Sequence, residues 1–87
     1  MAEENQPVKL YALSTCSHCR RTKQFFEECK IVVDIVDVDL LSGKEREDIL
    51  DEVRKFNPRC SFPTIVIGDT VIVGFQEAKI REALKLP

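Results

Sequence analysis

Short runs of β-forming residues alternate with amphipathic segments along the chain. Residues 8–13 form an apolar run that is too short for a buried helix and predicts a first strand. In residues 16–30, apolar side chains recur at helical spacing between charged ones, which predicts a helix. Residues 31–38 are mainly β-branched and predict a second strand, whose solvated end carries Asp37 and Asp39. Because a helix connects the two strands, they should be parallel with a right-handed crossover.

The second half of the chain continues this alternation. Ser42 to Glu45 has the S-x-x-E form of a capping box that opens a second helix, and Asn57-Pro58 ends it. Residues 64–67 and 70–73 are β runs joined by a two-residue turn, which predicts an antiparallel hairpin. Pro63 stands directly before this hairpin, where a cis bond is compatible with the tight entry. A last amphipathic segment predicts a third helix. The order β-α-β-α-β-β-α predicts an α/β fold in which three helices cover a four-stranded mixed sheet.

Composition restricts the class of protein further. The 87 residues are enough for a single domain over 1–87, of which 1–7 are acidic and polar and are expected to be flexible. The formal net charge of −2 gives no basic excess for nucleic acid or an anionic membrane. No signal peptide and no membrane-spanning apolar run is present in the sequence. We therefore expect a cytoplasmic protein, monomeric by default, in which free thiols stay reduced.

The candidate chemistry is a C-x-x-C pair at the predicted junction of the first strand and first helix. Cys16 lies at or before the helix start, where unpaired N–H groups and the helix dipole favour a thiolate, so it is the candidate nucleophile. Cys19 lies one turn further on the same face and is the candidate resolving thiol. His18 and Arg20 are candidates for tuning the thiol pKa, and Arg21 adds charge in the same turn. The alternative interpretation of the two arginines is solvated helix surface.

The same cysteines allow other interpretations. A metal or iron–sulfur module would use Cys16, Cys19 and Cys60, but a second close pair is absent and His18 is the sole histidine. We therefore expect no metal. Cys60 precedes Pro63 by three residues and is either an additional reactive thiol or an inert buried one. Cys29 is interpreted as a small core residue.

Residues 8–86 resemble a glutaredoxin, a small member of the thioredoxin-fold superfamily. Three matches in the right order carry the resemblance. The pair Cys16-Ser17-His18-Cys19 follows the first strand, and Phe62-Pro63 stands where the family has its cis-proline. Gly74-Phe75-Gln76-Glu77 occupies the turn before the last helix. The resemblance implies the thioredoxin-like fold and thiol–disulfide exchange without a bound cofactor.

The resemblance also implies a substrate site. The main chain of Phe62 would pair with an incoming peptide or glutathione like an added strand, and Pro63 would hold that loop against Cys16. The other residues that would line the site are Thr15, Ser17, Gly74, Phe75, Gln76 and Glu77.

Two departures from the family pattern bear on the electron donor. Glutathione-using members commonly carry a lysine where this chain has Leu13, and their Gly-Gly-x-Asp turn is altered in residues 73–77. The altered turn is similar to that of the redoxins that serve class Ib ribonucleotide reductase. We therefore expect a reductant of protein disulfides that depends weakly or not at all on glutathione. Its electrons would come from thioredoxin reductase or a ferredoxin-linked reductase. The alternatives are a glutathione-dependent glutaredoxin, the metal module, and an adaptor without exchange activity.

Overall fold

The computed structural model describes residues 7–85. Its elements follow the predicted order. They are β1 (Val8–Ala12), α1 (Ser17–Glu28), β2 (Asp34–Asp37), a 3-10 turn (Val38–Leu40), α2 (Gly43–Phe56), β3 (Thr64–Ile67), β4 (Thr70–Val73) and α3 (Glu77–Leu84).

The four strands form one mixed sheet in the order β2-β1-β3-β4. β1 and β2 are parallel, with Lys9 opposite Asp34 and Ala12 opposite Asp37. β3 pairs antiparallel with both β1 and β4, which confirms the predicted hairpin. Because the carboxyl ends of parallel strands meet at one edge of a sheet, the segments that follow β1 and β2 lie side by side. This edge carries the C-x-x-C pair.

Alternate residues of β1 face opposite sides of the sheet. On one side, Leu10 is fully buried in a core cluster with Phe26 of α1 and Ile80 of α3. On the other side, the Tyr11 ring stacks on Phe56 of α2, with 6.3 Å between ring centroids. The sheet is therefore covered by α1 and α3 on one face and by α2 on the other. Each large apolar side chain buried in this way contributes about 1.5–3 kcal/mol.

The second strand is shorter than the sequence predicts. Residues 31–33 do not join the sheet, and Val32 is 93% exposed. The reason is the end of α1, where Lys30 adopts a left-handed φ of 58° and the Ile31 N–H donates to the Phe26 carbonyl at 2.9 Å. These residues close the helix and then reconnect the chain, so pairing with β1 starts only at Asp34.

The capping-box prediction is right about the start of α2 and wrong about its hydrogen bond. Ser42 is the N-cap residue, but its side chain makes no capping bond. The turn before the helix is held instead by Arg46, whose Nε donates to the Leu41 carbonyl at 2.9 Å. The helix ends at Phe56, as the Asn57-Pro58 pair predicts.

The predicted flexible stretch 1–7 lies almost wholly outside the described residues. Pro7 is described, and its carbonyl accepts a hydrogen bond from the Gly68 N–H at 3.0 Å. Within residues 7–85, none of the helices has the length and apolar character needed to cross a membrane.

Candidate active site

The dithiol lies on the turn that connects β1 to α1. Cys16 is the N-cap residue of α1, with extended backbone angles of φ −86° and ψ 126°. Its N–H donates to the Leu13 carbonyl at 3.1 Å, which closes the turn, and its carbonyl accepts from the Arg20 N–H at 3.0 Å, which opens the helix. The predicted position of Cys16 at the helix start is confirmed. The Cys16 side chain is half-buried, whereas Cys19 is fully buried one turn below it.

The surroundings of Cys16 lower the pKa of its thiol. The largest cause is a hydrogen bond from the backbone N–H of Cys19, with further bonds from the Cys19 thiol and the His18 backbone N–H. The positive charge of Arg20 acts in the same direction, while partial burial opposes it. His18, a predicted tuning residue, acts on the Cys16 sulfur through its main chain. These are the N–H groups that a helix N-terminus leaves unpaired.

The pKa of Cys19 moves the opposite way, to about 11. Burial is the largest cause, and the adjacent Cys16 adds to it by accepting the Cys19 S–H bond and by its charge. The backbone N–H of Leu13 donates to Cys19 Sγ at 3.4 Å and partly offsets the rise. Two thiols in hydrogen-bonding contact are thus unequal: Cys16 favours the anion and Cys19 keeps its proton. A solvent-accessible anion beside a protonated partner is the arrangement that a two-step exchange requires.

A carboxylate from the 3-10 turn that follows β2 fixes the turn before Cys16. Asp39 Oδ1 accepts from the Ser14 N–H at 2.8 Å, and Oδ2 accepts from the Ser14 hydroxyl at 2.6 Å. Asp39 follows the end of β2 and stays partly in solvent, as the sequence predicts, but its bonds to Ser14 were not predicted. A signal was available, because the segments after two parallel strands must meet at one edge. The adjacent Asp37 is also engaged, in an ion pair with Lys23 at 2.7 Å.

The loop before β3 is organised by Asn57, which the sequence analysis treated only as a helix stop. This side chain is 4% exposed. Its amide donates to the Ser61 carbonyl at 3.2 Å and to Thr64 Oγ1 at 3.1 Å, and its oxygen accepts from the Arg59 N–H at 3.2 Å. The Phe62–Pro63 peptide bond that follows is cis. A buried asparagine therefore ties the loop together along its whole length.

The two loops expected to bind substrate are joined by one hydrogen bond. The Gly74 N–H donates to the Pro63 carbonyl at 2.8 Å. Gly74 has a φ of 84°, in the left-handed region that favours glycine, although a side chain would have room there. Phe62, Phe75 and Cys16 pack against the same core cluster. The structure therefore gathers the cis-proline loop and the turn before α3 on the cluster that also supports the nucleophile candidate.

Other predicted site residues have local partners or lie open to solvent. The Glu77 carboxylate pairs with Arg81 at 2.9 Å, and the Gln76 amide donates to the Val73 carbonyl at 2.7 Å. Thr15 and Ser17 flank Cys16 in the sequence, and both are exposed. Glu77 and Gln76 could therefore reach a ligand only by exchanging these partners.

Known proteins of one family match this chain in sequence and in fold. The sequence model of the glutaredoxin family matches residues 8–72. The chain belongs to the glutaredoxin family. A glutaredoxin-like 8.6 kDa protein from the rubredoxin operon of Clostridium pasteurianum is 34% identical over 79 residues, which cover 90% of this chain and 97% of the relative.

Solved structures agree with this assignment. Methanoredoxin from Methanosarcina acetivorans is 40% identical to this glutaredoxin, with a TM-score of 0.88 over 92% of this chain and 85% of its own. A glutaredoxin from Methanosarcina mazei is 47% identical, with a TM-score of 0.85 over 92% and 79%. A glutaredoxin from Archaeoglobus fulgidus is 32% identical, with a TM-score of 0.87 over 92% and 87%. The family, the fold and the nearby cysteine pair support a redox function of the thiol–disulfide oxidoreductase type.

Two cysteines of this glutaredoxin lie outside the pair. Cys60 is half-buried, has a left-handed φ of 54° and donates its N–H to the Asn57 carbonyl at 2.8 Å. Cys29 is half-buried, packs against the core and lines a cavity of about 490 Å³ between α1 and α3. Across residues 7–85, no three His, Cys, Asp or Glu side chains are grouped so that they could hold a metal ion. The structure therefore does not bring Cys60 to the cysteine pair as a third ligand.

Proposed function

We propose that this glutaredoxin reduces disulfide bonds of proteins by thiol–disulfide exchange through Cys16 and Cys19, with little dependence on glutathione. The observation that carries the proposal is the contrast between two touching thiols at a helix start. The pKa of the half-buried Cys16 is lowered by backbone N–H groups, and the pKa of the fully buried Cys19 is raised to about 11.

In the first step, the Cys16 thiolate attacks one sulfur of the substrate disulfide. A Cys16–substrate disulfide forms, the substrate S–S bond breaks, and the other substrate sulfur leaves as a thiolate that takes a proton from water. No bound cofactor is needed, because the sulfur atoms carry the two electrons.

In the second step, Cys19 loses its proton to solvent and attacks the Cys16 sulfur. The Cys16–Cys19 disulfide forms and the second substrate thiolate is released. Consumption of the Cys16 thiolate removes the negative charge that raises the pKa of Cys19. Formation of the mixed disulfide therefore helps to activate the resolving thiol.

The proposed protein substrate lies along the cis-proline loop. The main chain of Phe62 pairs with the extended substrate segment, and Pro63 keeps that loop beside Cys16. Other contacts come from the two segments that border the dithiol, namely Thr15, Ser17, Gly74, Phe75, Gln76 and Glu77.

Two features support a donor other than glutathione. Leu13 offers no positive charge to a glutathione carboxylate, and the Glu77 carboxylate, which could meet the glutathione amine, is already paired with Arg81. We propose that thioredoxin reductase or a ferredoxin-linked reductase recharges the monomeric protein. A reducing compartment such as the cytoplasm would keep the dithiol available.

Single-cysteine variants test the roles of the two thiols. We expect Cys16→Ser to abolish reduction of insulin, and Cys19→Ser to accumulate a mixed disulfide detectable by mass spectrometry after acid quenching. Cys29→Ser is the matched control. It should reduce insulin like wild type and accumulate no mixed disulfide, because that thiol lies away from the pair. Full activity of Cys16→Ser would overturn the proposed mechanism.

A donor panel tests the proposed electron source. Glutathione with glutathione reductase, thioredoxin reductase with NADPH, and a ferredoxin-linked reductase are each assayed against insulin. We expect glutathione to be the poorest donor. A clear preference for glutathione would instead identify a glutathione-dependent glutaredoxin.

A further inference from the structure

We propose that Asp39 is a positioning residue for the dithiol, acting through Ser14 on the turn that carries Cys16. This inference rests on the proposed function, because it concerns the step in which Cys19 resolves the mixed disulfide. Neither Asp39 nor Ser14 belongs to the C-x-x-C pair or to the proposed substrate loops.

Both oxygens of the Asp39 carboxylate bind one residue. The Ser14 N–H donates to Oδ1 at 2.8 Å and the Ser14 hydroxyl donates to Oδ2 at 2.6 Å. Hydrogen bonds to an ionised carboxylate are stronger than neutral ones, and two bonds to one residue also fix its orientation. Ser14 accordingly holds the pKa of Asp39 below its usual value, chiefly through its hydroxyl. The carboxylate therefore stays ionised and in place at neutral pH.

The two hydrogen bonds between Asp39 and Ser14 form a clamp that acts on both cysteines through Leu13, the residue before Ser14. The Ser14 N–H and the Leu13 carbonyl belong to one planar peptide unit, and that carbonyl accepts from the Cys16 N–H at 3.1 Å. The Leu13 N–H, in the preceding peptide, donates to Cys19 Sγ at 3.4 Å. Asp39 therefore fixes the far end of a short backbone segment whose other polar groups bind the Cys16 main chain and the Cys19 sulfur.

Asp39 is itself held by α2. It lies in the 3-10 turn after β2, at the edge where the ends of β1 and β2 meet. Arg46 of α2 donates to the Asp39 carbonyl at 3.3 Å and to the Leu41 carbonyl at 2.9 Å. The clamp thus connects the dithiol turn to a helix on the opposite face of the sheet from α1.

The second chemical step depends most on this arrangement. Attack on the substrate needs only that Cys16 be exposed and ionised, and the N–H groups that lower its pKa belong to α1. Resolution instead needs the buried Cys19 sulfur to approach the Cys16 sulfur in line with the mixed disulfide. A loosened turn would release the Leu13 N–H from Cys19 Sγ and slow this step selectively.

The test measures the two steps separately with 2-hydroxyethyl disulfide. Samples of the reaction are quenched with acid at successive times, and the mixed disulfide in each sample is quantified. The rate at which the mixed disulfide appears reports attack, and its lifetime before it disappears reports resolution. We expect Asp39→Ala to lengthen the lifetime about tenfold, the size of effect expected for a lost charge-assisted hydrogen bond, with attack changed less than about twofold. Ser14→Ala removes only the hydroxyl bond and should lengthen the lifetime by a smaller factor.

Two controls separate position from charge. In Asp39→Asn, the side chain can still accept from the Ser14 N–H and can donate to the Ser14 hydroxyl, so the lifetime should return close to that of wild type. Asp34→Ala removes a carboxylate from the other end of β2 and should leave the lifetime unchanged.

Several outcomes would overturn the inference. A normal lifetime in Asp39→Ala would show that the clamp does not act on resolution. An equal defect in Asp39→Asn would assign the effect to charge, and equal slowing of attack and resolution would show only general damage. If Cys19→Ser, which cannot resolve the intermediate, forms no mixed disulfide at all, the proposed function is wrong and the positioning role is lost with it.

Discussion

Two cysteines three residues apart acquire opposite properties because their sulfurs meet different neighbours. Cys16 lies above the open end of α1 and receives backbone N–H groups, whereas Cys19 lies below it among apolar side chains. The difference in pKa between the two thiols comes mainly from burial and from backbone N–H groups. Substitution of the His18 side chain should therefore alter this difference less than a change in the helix start would. The difference in pKa between the two cysteines therefore depends on where they lie in the fold, and residue type alone would not predict it.

The first prediction concerns the pH dependence of alkylation. Only the thiolate reacts, so Cys16 should react with iodoacetamide at lower pH than N-acetylcysteine does. Cys19, with a pKa of about 11, should remain almost unlabelled at neutral pH. Site-resolved mass spectrometry of the labelled wild-type protein measures both profiles. A Cys16 profile at or above that of N-acetylcysteine would contradict the lowered pKa.

The second prediction concerns Asp39 and acid stability. A carboxyl whose folded-state pKa is lowered stabilises the fold fully above the pKa of the unfolded chain, about 4. This contribution is lost as the pH falls towards the lower folded-state value. We therefore expect the difference in melting temperature between wild type and Asp39→Ala to shrink between about pH 5 and pH 3. Melting curves by circular dichroism measure it, and a pH-independent difference would contradict the linkage.

At the scale of elements, local pattern predicted most of the fold. The β3–β4 hairpin has the predicted residues, because a two-residue turn between β-branched runs leaves few alternatives. The second strand was predicted too long, since residues 31–33 have strand composition but are used to end α1. The S-x-x-E pattern at the start of α2 predicted a capping box, but Ser42 makes no capping bond and the Arg46 side chain holds the turn instead. Residue propensity therefore predicts well that a helix or strand is present. The residues at which it begins and ends depend on the neighbouring element.

The candidate site was predictable only where its residues are close in sequence. The C-x-x-C pair and its helix start are local, and so is the proline before β3. The partnership of Ser14 with Asp39 spans 25 residues and depends on which strands are neighbours. Asn57 has hydrogen-bond partners that are close in sequence, but an asparagine followed by a proline indicates only the end of a helix. The sequence therefore indicated the candidate reactive thiols and did not indicate the residues that hold them in place.

The third prediction concerns Asn57 and the loop before β3. Asn57→Ala should lower the free energy of unfolding by about 1–3 kcal/mol, because the buried Thr64 hydroxyl loses a donor and the loop loses its bonds from Asn57 to the Ser61 carbonyl and the Arg59 N–H. Asn57→Asp should be worse at neutral pH, since a carboxylate would face acceptor oxygens. Urea unfolding measures both variants, and Arg59→Ala, an exposed neighbour, is the control. Loss of less than about 0.5 kcal/mol in Asn57→Ala would contradict the role of this side chain.

At the scale of the whole molecule, charge is distributed unevenly. The net charge is −2, yet the start of α1 carries the exposed Arg20 and Arg21, of which Arg20 acts on the Cys16 thiol. The ion pairs among residues 7–85 do not include either arginine. The charges of α2 are mixed by comparison, with five acidic and four basic side chains. A disulfide approaching Cys16 therefore meets a positive field on a molecule that is negative as a whole.

The last prediction concerns the charge of the substrate. At low salt, reduced protein should react faster with the anionic 5,5′-dithiobis(2-nitrobenzoate) than it does at high salt, by roughly two- to fivefold. The cationic disulfide cystamine should show no such decrease. Exposed charges act over about 30 Å at 0.01 M salt and about 3 Å at 1 M, so the difference should vanish as salt rises. Stopped-flow absorbance follows the first reaction, and a coupled thiol assay follows the second.

The double variant Arg20→Ala/Arg21→Ala separates steering from activation of the thiol. Loss of Arg20 also weakens the lowering of the Cys16 pKa, but a smaller thiolate fraction reduces both rates by the same factor. The ratio of the anionic to the cationic rate is therefore the quantity to compare, and it should fall in the double variant. Arg54→Ala, which removes a paired charge from α2, should leave the ratio unchanged. A ratio that is the same in wild type and in the double variant would mean that these arginines do not select the charge of the substrate, and that recognition depends on the loops around Phe62 and Gly74.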